Sequence, residues 1–257
     1  MGNNRQRYKT QFRPAYSRLH EDRDLRWVVP FAVRYVIVIV GERFAGKSAA
    51  LSYLSETRGF RSYSLTDELR NEASQRGLPL EPRAALRGLG NEVRADAADR
   101  ALLARLTLRR IHADHLLGQW RGNPTQRIAV GGFKRPEELR LFQGLGGSCL
   151  IISVRAEEAK RYARSRTSGV LKRELQDVYD RKGKPVAVTK RSFARYVDRP
   201  DLQGTRDRWT DGYGQAVQEL LNMWTPAEIY NNDSLGALYS KLDVHVDAMD
   251  RRHRTTN

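Results

Sequence analysis

Val36-Ile-Val-Ile-Val40, followed at once by Gly41-Glu-Arg-Phe-Ala-Gly46-Lys47-Ser48, is the stretch that decides how the chain folds. β-Branched residues in unbroken succession read as a strand buried on both faces, as in a parallel sheet. The residues after it match G-x-x-x-x-G-K-[ST] at every fixed position, a pattern whose backbone N–H groups converge on phosphate oxygens. Its glycines let the chain curl, and the helix behind it turns the positive end of its dipole to the same spot. Lys47 is placed to reach the β- and γ-phosphates, and the Ser48 hydroxyl to hold Mg²⁺. The run Ser48 to Thr57 continues as a helix that Gly59 ends. Gly41, Glu42, Arg43, Phe44, Ala45, Gly46, Lys47, Ser48 and Ala49 are therefore the candidate nucleotide-binding residues, with ATP and Mg²⁺ as the implied cofactors.

At 257 residues the chain is long enough for a full hydrophobic core. No apolar run approaches the roughly 20 residues of a membrane span. The N-terminus is Arg-rich and lacks a secretory apolar stretch, and Gln6 stands where N-myristoylation needs Ser or Thr. The lone Cys149 lies in an apolar run and reads as a core residue. These features predict a cytoplasmic protein without a membrane partner; nothing in them fixes the oligomeric state. The formal charge of +16 suits anionic ligands: a nucleotide, a nucleic acid or an acidic protein. A solvated basic surface accounts for the same number.

Residues 1–34 form a basic extension in which Tyr8, Phe12, Tyr16 and Trp27 are interleaved with arginines. Such a segment can hold nucleic acid through phosphates and base stacking. Docking of its aromatics on its own domain is the reading preferred here. Beyond it, Arg61–Leu65, Arg127–Val130, Ser148–Val154 and Ala227–Tyr230 read as further strands. Helices are expected from Thr66, taken as N-cap, from about Pro82, through Leu102–Ile111, from Pro136, across Arg161–Arg166, around 215–224 and after the Asn231–Ser234 cap. His112 and His115, with Asp114 between them, have a metal-like spacing, but without a further ligand a solvated helix end is the preferred reading. Segment 167–211 reads as a charged excursion, and Arg251–Arg254 as a frayed tail. Strands alternating with helices give an α/β fold, a parallel sheet wound on both faces, with the cleft at the carboxyl ends of its strands.

In order and spacing, five pieces resemble the P-loop nucleoside-monophosphate kinase group, closest to its deoxynucleoside-monophosphate and dephospho-coenzyme A kinase branch. They are the loop at 41–48, Ser64–Arg70, Arg87–Arg94, Phe133–Glu138 and Arg161–Arg166, and Asn232-Asp-Ser-Leu is similar to that branch's C-terminal turn. The resemblance implies a P-loop NTPase three-layer sandwich over about 35–250, with a parallel central sheet and helical acceptor and lid insertions. Acceptor-binding helices would lie at about 66–118, and the lid and excursion at about 157–211. It also implies that Arg70, Arg87 and Arg94 clamp an acceptor phosphate, and that Asp67 lies near the cleft. Arginines of the lid helix, Arg161, Arg164 and Arg166, would close over the donor.

One departure stands out. The third strand of this group usually ends in an acid followed closely by Arg, whereas here Ile128-Ala-Val130 ends in Gly131-Gly132, with Lys134 or Arg135 in the Arg position. Mg²⁺ then lacks a carboxylate unless Asp67 supplies it. The expectation is Mg-ATP-dependent phosphoryl transfer to a nucleoside monophosphate or similar small phosphorylated acceptor, with Lys47, Asp67, Arg161 and Arg164 as catalytic residues. A catalytically degenerate nucleotide sensor and a nucleic-acid-associated NTPase are the alternatives. One cysteine cannot supply the zinc ligands of a fused deaminase.

Overall fold

A computed structural model describes residues 35–78, 89–93, 99–116, 127–143, 148–167, 189 and 226–254. Strand β1 (Tyr35–Gly41) is buried along its whole length. It stands at the centre of a five-stranded sheet with β2 (Arg61–Ser64), β3 (Arg127–Gly131), β4 (Ser148–Arg155) and β5 (Ala227–Tyr230), in the order β2-β3-β1-β4-β5. Every neighbouring pair is parallel; Val38 lies opposite Val130 on one side and Ile151 on the other.

The unbroken apolar run of β1 is explained by what covers it. Val36, Val38 and Val40 point into one core, with Leu69 of α2 (Leu65–Gln75), Leu108 of α3 (Leu102–Leu116) and Phe142 of α4 (Pro136–Gln143). Tyr35, Ile37 and Ile39 point into a second, with Leu54 of α1 (Lys47–Glu56) and Leu242 of α6 (Leu235–Arg254). Because a strand sends alternate side chains to opposite faces, only a sheet covered twice tolerates apolar residues at every position. A further helix, α5 (Glu158–Thr167), follows β4.

Two element bounds that differ from expectation have a clear cause. Ser64, in extended conformation, caps α2 by accepting from the Thr66 N–H at 3.2 Å, so the helix begins before Thr66. The last helix continues to Arg254, through the tail expected to fray. It is held by Leu238, Leu242, Val246 and Met249 on its buried face, by Asp243, which accepts from the Tyr53 hydroxyl at 2.7 Å, and by Asp250, which accepts from Arg127 at 2.7 Å.

Cys149 packs against the first core, and burial pushes its thiol up to about 12. The His112 region holds no metal cluster among the described residues; Asp114 there accepts from the Tyr63 hydroxyl at 2.9 Å. No helix among the described residues is long and apolar enough to cross a membrane. The 1–34 extension, the helices expected from Pro82 to residue 88 and around 215–224, and nearly all of the 167–211 excursion lie outside the described residues.

Candidate functional site

β1 delivers its C-terminal end to the loop 42–46, and α1 leaves from it. Gly41 has φ +135°, and a Cβ there would lie 2.0 Å from the Val154 carbonyl oxygen of β4. Only glycine fits a backbone that approaches its neighbour so closely. Phe44 (φ 60°) and Gly46 (φ 110°) also take left-handed backbone, which curls the loop. Gly46 is the N-cap of α1, and no side chain caps that helix. The first-turn N–H groups are orphan donors of any helix, and here no side-chain cap takes them up.

Lys47 occupies the first turn and bends back, donating to the Glu42 carbonyl at 2.5 Å. Ser48 is exposed beside it, Ala49 is half-buried, and Arg43 lies 6.0 Å above the Phe44 ring. An ammonium on a backbone carbonyl is a charge-assisted hydrogen bond, which a multiply charged anion can replace with a stronger one.

Two arginines of α5 reach this loop, in different ways. Arg161 is 7% exposed; its Nε donates to the Ala156 carbonyl at 3.2 Å and lies 3.3 Å from the Glu42 carboxylate. Its Nη1 is buried with no partner among the described residues. Among the described residues Arg164 binds backbone: its guanidinium donates to the carbonyls of Phe44 and Ala45, each at 3.4 Å, and of Asn231 at 2.6 Å. Desolvation lowers its pKa from the ordinary arginine value. Arg166 is exposed, 5.9 Å above the Tyr162 ring.

Asp67 and Arg70 lie together in the first turns of α2, where Arg70 donates to the Asp67 carboxylate at 2.6 Å, both partly exposed. Ser64 is level with Gly131 across the β2–β3 pair, so the start of α2 and the end of β3 share one edge of the sheet. Arg87 and Arg94 lie outside the described residues.

The end of β3 is glycine for a reason visible in its surroundings. A Cβ on Gly131 would lie 2.5 Å from Leu51 Cδ1 of α1, so the space a side chain would take there is held by leucine. Gly132 has φ +88°, and a Cβ on it would sit 3.0 Å from Ser64 Oγ. Beyond it, the buried Glu138 carboxylate accepts from the N–H groups of Lys134 (2.8 Å) and Arg135 (3.1 Å), closing the start of α4 as a capping-box glutamate does. That buried carboxylate is committed to backbone.

Two contacts had no local signal in the sequence: Asn231, whose amide donates to the Ala45 carbonyl at 2.8 Å, and the Glu42–Arg161 ion pair. Both join segments far apart in the chain. No protein-family model matches the chain, and no curated protein matches it.

Proposed function

We propose that the protein binds a nucleoside triphosphate with Mg²⁺ on the 41–48 loop and transfers its γ-phosphoryl group to a nucleoside monophosphate or a similar small phosphorylated acceptor. The observation that carries this reading is the loop's position. It leaves the carboxyl end of the central strand and feeds a helix start that no side chain caps, with Lys47 in the first turn and Ser48 exposed next to it. Ligands of open parallel sheets bind at that end of the strands, and anions at such helix starts. The finer fold assignment belongs to the same proposal: a P-loop NTPase three-layer sandwich with helical acceptor and lid insertions, supported by the all-parallel order β2-β3-β1-β4-β5.

The residues fit the implied group on the donor side. Lys47 leaves the Glu42 carbonyl to neutralise the β- and γ-phosphates, and Ser48 offers its hydroxyl to Mg²⁺. When bound, Mg·ATP supplies the phosphoryl group and a metal that spreads its charge. Arg70, with Arg87 and Arg94, holds the acceptor phosphate, and the Asp67 carboxylate is the acid nearest in sequence to the β2 edge of the cleft. Arg161 and Arg164 act from α5 through the loop they grip. Water exclusion then directs transfer to the acceptor.

Gly131 favours a second reading. With Leu51 in the space beside it, the third strand offers no carboxylate to the metal, which a nucleotide sensor tolerates better than a fast kinase. A nucleic-acid-associated NTPase rests on residues 1–34 and is the weaker alternative. ADP release measured with Mg·ATP across ribo- and deoxynucleoside monophosphates and dephospho-coenzyme A separates the readings. Acceptor-dependent release supports transfer; ATP binding with no release for any acceptor supports the sensor.

A further inference from the structure

The 41–48 loop is gripped from its carbonyl side by residues remote in the chain. Asn231 follows β5, is 2% exposed, and donates from Nδ2 to the Ala45 carbonyl at 2.8 Å. Its own carbonyl accepts from Arg164 at 2.6 Å, and the same guanidinium reaches the Phe44 and Ala45 carbonyls at 3.4 Å. Asn231 N–H in turn donates to the Arg155 carbonyl at 2.8 Å, which ties the position to the end of β4.

Gly46 is shaped around this contact. A Cβ on it would lie 2.3 Å from Asn231 Nδ2, so the second glycine of the motif admits the amide as well as the left-handed turn. The other half of the amide is not satisfied: Oδ1 is buried and has no partner among the described residues. A buried amide bonded through one end only is a poor stabiliser, since the orphan oxygen keeps its desolvation penalty. What the side chain does supply is the hold on Ala45.

We infer that Asn231 is a positioning residue for the loop, acting together with Arg164. By binding the Ala45 carbonyl from outside, the pair keeps the 45–46 peptide plane turned so that the Gly46 N–H faces the anion, while the Ala45 N–H is itself engaged with the Glu42 carbonyl at 3.4 Å. A loop with its carbonyls free to rotate would present mixed dipoles, and each bound phosphate would have to reorder it first. The inference rests on the phosphate-binding reading for its purpose, but the grip itself is readable without any ligand.

The test uses full-length protein and two measurements. Asn231→Asp keeps shape and removes the Nδ2 donor but adds a negative charge, so Asn231→Leu, which removes the donor without charge, is measured beside it and should show the same changes. Arg164→Lys keeps charge but cannot span the carbonyls, and Arg164→Ala removes both. Amide hydrogen exchange of the ligand-free protein should show faster exchange confined to 41–48 in Asn231→Asp, with α6 unchanged. Mg·ATP affinity by calorimetry should fall about tenfold, the scale of one lost hydrogen bond to a preorganised site. Arg164→Lys should fall between wild type and Arg164→Ala. Unchanged exchange in the loop, or loss of protection spread over the whole molecule, would overturn the inference, and Arg164→Ala provides the same reading should Asn231→Asp fail to fold. Local loosening of the loop in a protein whose wild type binds no Mg·ATP would instead keep the grip and remove the nucleotide reading.

Discussion

The Glu42 carboxylate lies 3.3 Å from the Arg161 Nε, a contact between the second residue of the loop and the first buried arginine of α5. Arg161 is almost fully buried and Glu42 about half exposed. A negative charge in a loop proposed to hold phosphates would oppose that ligand unless it is neutralised, and Arg161 is the cation paired with it. This sets a sharp alternative to Arg161 touching the donor itself.

The two roles separate in a double-mutant cycle. Arg161→Ala should weaken Mg·ATP binding about tenfold, and adding Glu42→Gln should restore most of the loss, because the charge that needed a partner is gone. A direct donor contact predicts that Glu42→Gln leaves the Arg161→Ala defect in place. Calorimetry on the four proteins decides between them.

Restoring an acid to the third strand has a structural obstacle. Gly131→Asp alone collides with Leu51, while Gly132→Asp adds a side chain at φ +88°, a strain of about 1–3 kcal/mol. Both single variants should melt below wild type. Gly131→Asp combined with Leu51→Ala gives the carboxylate room, and acceptor-dependent ADP release should rise in that double variant alone. Equal thermal stability of Gly132→Asp and wild type would contradict the geometry.

If transfer occurs, a carboxylate must serve the metal, and Asp67 is the candidate at the β2 edge. Asp67→Asn keeps the shape and leaves Arg70 without its ion partner at 2.6 Å. Turnover should fall at least about tenfold while Mg·ATP affinity changes little, since an interaction made mainly in the transition state lowers kcat rather than binding. Turnover indifferent to Asp67→Asn would send the metal ligand elsewhere.

The buried thiol gives a pH prediction with a definite sign. Burial raises Cys149 from 9.0 to about 12, so the folded chain keeps a proton that the unfolded chain gives up. The resulting stability is complete below pH 9.0 and is lost as pH rises toward about 12. Cys149→Val should flatten that part of the alkaline stability profile. In the native state the wild-type thiol should resist alkylation at neutral pH and react once unfolded.

The parallel sheet was legible because β1 and β4 are apolar at nearly every position, which only double coverage permits. The turn between β1 and α1 was legible because Gly41 and Gly46 punctuate a short stretch between an apolar run and a helical one. The start of α2 was misjudged by two residues, since Ser64 and Thr66 are both capping types and only the backbone turn decides. What remained hidden were contacts between distant segments: Asn231 meets Ala45 across 186 positions, and neither residue signals the other. Leu51 likewise reads as one more apolar helix residue until β3 places Gly131 against it. Arg164 was expected to close over a donor; its three backbone acceptors show a side chain already engaged with the loop.

The most direct test of the central claim is calorimetric binding of Mg·ATP to wild type and to Lys47→Ala. Lys47 is the loop cation in the first turn of α1, and its ammonium donates to the Glu42 carbonyl. The account predicts measurable binding by wild type and a loss of at least about tenfold in the variant, about 1.4 kcal/mol, with the fold intact by circular dichroism. Equal affinity in the two proteins, or no binding by wild type, would contradict it.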